Sequence, residues 1–146
     1  MNSEKKTATT LEDVKINIKI KLSVLWITVM FLFLYVDHFG LYVPGFIEDV
    51  IAGKMGPFPT TQVALLAATT FMIIPSLMVF LSLTLKPKAN RWTNIIVGIL
   101  FIVAQLSSNF VGEPWAYYIF ASIVEVVLLS LIVAYAWKWP KQEGQL

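Results

Sequence analysis

The chain has 146 residues, of which 58% are apolar and 14% charged. A water-soluble domain carries about 25% charged residues, so this composition argues against a soluble enzyme, a disordered chain or a nucleic-acid module. A formal charge of +2 is too small to imply a polyanionic partner; the absence of cysteine removes disulfides and thiolate chemistry, and a single histidine removes a multi-histidine metal site within one chain.

Residues 1–9 form a polar tail, and Thr10-Leu11-Glu12-Asp13 resembles a capping box that starts a helix. Val14–Leu22 then alternates apolar and polar, the period of a strand. A lone strand at a membrane face has no partner, whereas a helix running into the following apolar run satisfies its backbone and lets the lysines snorkel, so helix is expected. The first span is expected at about 20–42. It is too long for a signal-peptide core and no small-residue cleavage pattern follows, so it is expected to stay in the mature protein. Pro44-Gly45 should break it. Phe46, Ile47, Val50 and Ile51 share one face of a short amphipathic helix, with Glu48 and Asp49 opposite. That helix is read either as a cover over the bundle or as a lid over a cavity. Gly53, Gly56, Pro57 and Pro59 turn the chain into the second span, at about 62–85.

The third span is expected at about 92–111 and the fourth at about 115–138. A bilayer core is roughly 30 Å thick and takes about 20 apolar residues per helix, so each run is long enough to cross it. Backbone groups in hydrocarbon must be paired internally, so the spans are helical. The short links Lys86–Arg91 and Gly112–Pro114 make consecutive spans antiparallel neighbours. Ten of the eleven basic residues fall on the side of the termini and Lys54 alone on the other. Both termini are therefore expected in the cytoplasm. Trp26, Trp92, Trp115, Trp137 and Trp139 lie near span boundaries, where amphipathic rings prefer the headgroup layer. The expected fold is all-α, a transmembrane four-helix bundle forming one domain, with a short interfacial amphipathic helix between spans one and two.

Glu125 is the most informative residue. It lies ten positions beyond Trp115, about 15 Å of helix rise, near the membrane midplane. A charge there costs about 3 kcal/mol, so a protonated acid or a buried partner is expected. Tyr118 and Ser122 share its face. Gly98, Ile102, Gln105, Ser108 and Asn109 form a matching stripe on span three, and a Glu125–Gln105 hydrogen bond is expected. Thr69, Thr70 and Ser76 surround Pro75, which should kink span two and free a carbonyl, while Ala64 and Ala68 offer a small-residue packing face. Glu125, Gln105, Asn109, Tyr118 and Ser122 are thus candidate ligand-binding residues; the alternative is that Glu125 only pins span four to span three. Tyr35, Asp37 and His38 form a second polar cluster at the end of span one. Asp37 and His38 are adjacent, so they do not face each other and support no nucleophile relay. Met72 and Met78 are read as core filler. No cofactor is implied.

The segments Leu11–Lys15, Phe39–Gly45, Phe80–Lys88 with Asn90-Arg91-Trp92, Trp115–Tyr118 and Tyr135–Pro140 resemble an uncharacterised family of small four-span bacterial membrane proteins. The resemblance covers nearly the whole chain and implies the four-span fold, but no activity. A looser, architectural resemblance is to DoxX-like proteins, in size and in the amphipathic segment between the first two spans. Where their second span often opens with a glutamate, this one has Gln62 and Val63. Three functions remain open: binding or transport of a small hydrophobic or cationic ligand at Glu125, an accessory or scaffold subunit, and a lipid- or quinone-modifying enzyme using Asp37, His38 and Glu125. The lipid bilayer is the expected partner, joined by further copies of the chain or another membrane protein, because four spans are too few to enclose a wide pathway alone.

Overall fold

The computed structural model describes residues 13–140. In chain order it has α1 (Ile18–Gly40), α2 (Phe46–Ile51), β1 (Lys54–Met55), β2 (Phe58–Pro59), α3 (Gln62–Thr84), α4 (Pro87–Ser108) and α5 (Ala116–Trp137). The helices α1, α3, α4 and α5 have 22 or 23 residues each and are long and apolar enough to cross a membrane, as fits a multi-pass membrane protein.

Local chemistry sets the helix ends. The capping box expected to start α1 lies largely outside the described residues. The helix begins instead at Ile18, where the Asn17 side chain accepts a hydrogen bond from the Lys19 amide at 2.9 Å. Val14–Asn17 are neither helix nor strand. Pro87 sits in the first turn of α4, where its missing N–H and fixed φ cost nothing. Residues 87–91, expected as a link, therefore lengthen α4 by more than a turn. Between α1 and α3, Gly45 at φ 86° opens α2, and Gly56 at φ 57° turns a two-residue-per-strand hairpin in which Met55 pairs with Phe58. This hairpin is absent from the expected layout. The α2 helix buries none of its residues.

The spans pack as a ring in the order α3, α1, α5, α4. The α4–α5 seam is the most extensive and the α3–α4 seam the thinnest. The short α3–α4 link thus joins antiparallel neighbours, as expected, although their seam is the thinnest of the four. The core gathers Leu22, Trp26, Val29 and Phe33 of α1, Met78 of α3, Ile95 and Phe101 of α4, and Leu129, Ile132 and Ala136 of α5. Along α1 the buried positions Leu22, Trp26, Val29, Phe33, Val36 and Gly40 are spaced four and three apart, a coiled-coil seam. Ser122, Glu125, Leu129, Ile132 and Ala136 repeat that spacing on α5. Gly98 lets α4 and α5 approach: a Cβ there would lie 2.7 Å from Val133 Cγ2.

The end of the bundle nearest the chain termini is knitted by polar groups. Trp26 Nε1 donates to Asn94 Oδ1 at 2.8 Å, and Ser82 Oγ donates to the same oxygen at 3.3 Å. The Asn94 amide donates to Asn90 O and Oδ1 at 2.9 and 2.7 Å, and the Asn90 amide donates to the Ser82 carbonyl. Ser23 Oγ donates to Val79 O at 2.9 Å, and Lys19 Nζ to Leu83 O and Leu85 O at 3.2 and 2.8 Å, tying α1 to the last turn of α3. Trp26 is therefore no headgroup ring: it is fully buried because its indole N–H has a buried acceptor. Arg91 stacks between Trp92 and Trp137, and Lys21 lies over Tyr135.

The opposite end is looser. On α3 the buried residues Pro75, Met78 and Ser82 all lie in the half toward Thr84, and none between Gln62 and Ile74 is buried. Ala68 is exposed and Ala64 half-buried, so the expected small-residue face is not buried in the bundle.

Candidate functional site

The half of the bundle nearer α2 contains a cavity of about 190 Å³. Each of the four long helices contributes to it: Phe33, Val36 and Asp37 from α1, Phe71 and Met72 from α3, Phe101, Ala104, Gln105 and Ser108 from α4, and Tyr118 and Glu125 from α5. The seam spacing of α5 aims Glu125 inward, between Ser122 and Leu129. Its side chain is 1% exposed, and both carboxyl oxygens are buried without a hydrogen-bond partner among the described residues. Most buried polar groups are paired, so these two unpaired oxygens single out Glu125 as the candidate functional group of the cavity.

The neighbouring hydroxyls and the Asn109 amide are committed elsewhere. Tyr118 Oη donates to Ser108 Oγ at 2.8 Å, and Ser108 Oγ donates to Gln105 O at 2.7 Å. Asn109 Nδ2 donates to Ser122 Oγ at 2.6 Å and to Gln105 O at 2.8 Å. Asn109 and Ser122 thus clamp α4 to α5 beside the cavity rather than lining it. Gln105 and Glu125 both line the cavity, yet the expected hydrogen bond between them is not formed. Three of the five candidate ligand residues, Glu125, Gln105 and Tyr118, therefore come together, and the Asn109–Ser122 pair supports them from behind.

The second cluster divides. Asp37 lines the cavity while remaining exposed, which puts it at the mouth. Tyr35 is exposed and stacks on Phe39, and the His38 ring packs edge-on against Tyr42. Neither lines the cavity, so Asp37, His38 and Glu125 are not assembled as a catalytic set. Among the described residues no group of three His, Cys, Asp or Glu side chains could hold a metal ion.

Sequence reasoning missed the aromatic wall. Phe71 and Phe101 stack at 4.5 Å between centroids, Phe33 stacks on Phe101 at 6.2 Å, and Trp26 meets Phe101 edge-on at 6.2 Å. Met78 is core filler as expected, at 1% exposed, whereas Met72 lines the cavity. Thr70 and Ser76 return their hydroxyls to Leu66 O and Met72 O within α3 and stay outside the cavity.

A family model covers residues 11–145. This chain belongs to DUF6326, a family of unknown function. No curated protein and no solved structure matches the chain. The looser likeness to DoxX-like proteins is not shown by these comparisons.

Proposed function

We propose that this protein is a one-domain, multi-pass binding protein of the bacterial inner membrane, with both termini in the cytoplasm, that holds a small, largely apolar ligand in the pocket centred on Glu125. The observation that carries the reading is the pairing of a fully buried carboxyl, without a hydrogen-bond partner among the described residues, with a cavity lined by three phenylalanines. At about 190 Å³ the space falls below the roughly 300 Å³ of drug-sized pockets, which favours a small molecule. The mouth lies at the α2 end, which the excess of basic residues at the other end assigns to the outside. Mass spectrometry of molecules that co-purify with the wild type provides the test. A compound retained by the wild type and lost from both Glu125→Gln and the cavity-filling Ala104→Phe supports the pocket. Identical extracts from all three proteins would rule it out.

A second reading, an accessory subunit, is favoured by the half of α3 between Gln62 and Ile74, which buries no residue within the chain. It predicts a stoichiometric membrane-protein partner after gentle purification, cross-linked through that half of α3. A partner-free preparation with an intact ligand would leave the first reading alone.

A further inference from the structure

The cavity is unbalanced in charge. It contains two carboxyl groups, Glu125 in its depth and Asp37 at its mouth, and among the described residues no lysine, arginine or histidine lines it. The facing groups are few. From α1 only Asp37 titrates, α3 and α4 contribute no ionisable side chain, and α5 adds the Tyr118 phenol, whose hydroxyl is already bonded to Ser108. The basic residues of the described chain lie at the far end of the bundle, apart from His38, turned toward Tyr42, and Lys54, paired with Asp49 at 3.4 Å. Among the described residues Glu125 therefore has no counter-charge and no hydrogen bond. A buried carboxyl in that position stays neutral with a proton of its own, and its ionised form is balanced by a cation that enters the cavity. The walls suit the apolar body of an organic cation: Phe33, Phe71 and Phe101 line the cavity, with Phe101 stacked on both of the others.

We infer that the pocket takes a small organic cation with an apolar body, an amine or quaternary ammonium, and exchanges it for the proton on Glu125. This rests on the binding role proposed above and names its substrate class. The exchange balances: the Glu125 acid O–H gives up its proton, the cation takes its place beside the carboxylate, and the proton leaves past Asp37 to the water at the mouth. The phenylalanine rings hold the apolar body, and Asp37 attracts the cation before it enters. A neutral ligand of the same shape would displace no proton, and its binding would weaken as the pH rises and the carboxyl ionises without a counter-charge.

The experiment uses the full chain in lipid nanodiscs. Benzyltrimethylammonium is the cation, and neopentylbenzene, in which carbon replaces the quaternary nitrogen, is the neutral competitor. The expected result is close to one proton released per cation bound in weakly buffered solution. Apparent affinity should rise by up to about tenfold per pH unit while Glu125 holds its proton. The neutral compound should compete at least tenfold more weakly. Glu125→Gln should abolish proton release, and Asp37→Asn should slow association while keeping the release. Proton release is measured on the wild type, so the result survives a misfolded variant. Cation binding without proton release, equal competition by the neutral compound, release retained in Glu125→Gln, or binding of neither probe would each overturn the inference. If neopentylbenzene binds and depends on Ala104 while the cation does not, the pocket stands and its cation specificity falls.

Discussion

Asn94 joins three helices through one amide, accepting from Trp26 on α1 and Ser82 on α3 while donating to Asn90 on its own helix. Replacing it with leucine strands the indole N–H and the Asn90 carboxamide in a setting without water. Asn94→Leu should lose about 1–2 kcal/mol, read from reversible unfolding in mixed micelles, with Asn94→Gln intermediate. Glu125→Gln removes no internal bond and should unfold within about 0.5 kcal/mol of the wild type in the same assay. Together the two variants separate the residue that builds the bundle from the one that serves the cavity. Glu125 was legible in the sequence because an acid in a span stands out against its neighbours. Asn90, Asn94 and Trp26 were not, since they lie close to the expected ends of their spans, where polar and amphipathic residues are ordinary. A rule suited to lipid would have found them. When the solvent is as apolar as leucine, the interior is marked by small and polar side chains, and Ser23, Ser82, Asn90, Asn94, Gly98 and Ser122 are all buried.

Helix α3 changes character at Pro75. Proline has no N–H to offer the Phe71 carbonyl, so the ladder is broken where the buried half of the helix meets the half without buried residues. Amides of residues 62–74 should therefore exchange hydrogen faster than those of 76–84, by mass spectrometry of the protein in nanodiscs, and Pro75→Ala should narrow the difference. The reverse holds on α4, where Gly98 brings the backbone against Val133. Gly98→Ala should cost about 1–2 kcal/mol by overpacking, and Val133→Ala in the same chain should recover part of it. Hydropathy located all four spans but not their inward faces, because helices that are apolar all round carry little periodic contrast. The α4 start was misplaced because Pro87 was read as a loop residue, although proline is at home in a first helical turn.

Across the whole molecule, the distribution of charge makes a claim that labelling can check. The chain has no native cysteine, so single-cysteine variants report cleanly. A membrane-impermeant maleimide applied to intact cells should label Lys54→Cys and leave Lys15→Cys and Lys138→Cys unreacted until the cells are opened. The number of spans, the amphipathic helix and the central acid were all readable before any coordinates. A pocket centred on Glu125 was also expected, but its aromatic wall was not, since phenylalanines in a span look like any other apolar filler and no local pattern announces which of them line a gap. The contrast between a stitched end and a splayed end has a mechanical corollary. A carrier that alternates between two faces must loosen each in turn, and here the far side is fastened by the Trp26, Ser82, Asn90 and Asn94 lattice. If the proposed ligand binds, one copy of this chain offers it a single rim, at the α2 end, and passage to the other face would require that fastening to be undone by something else.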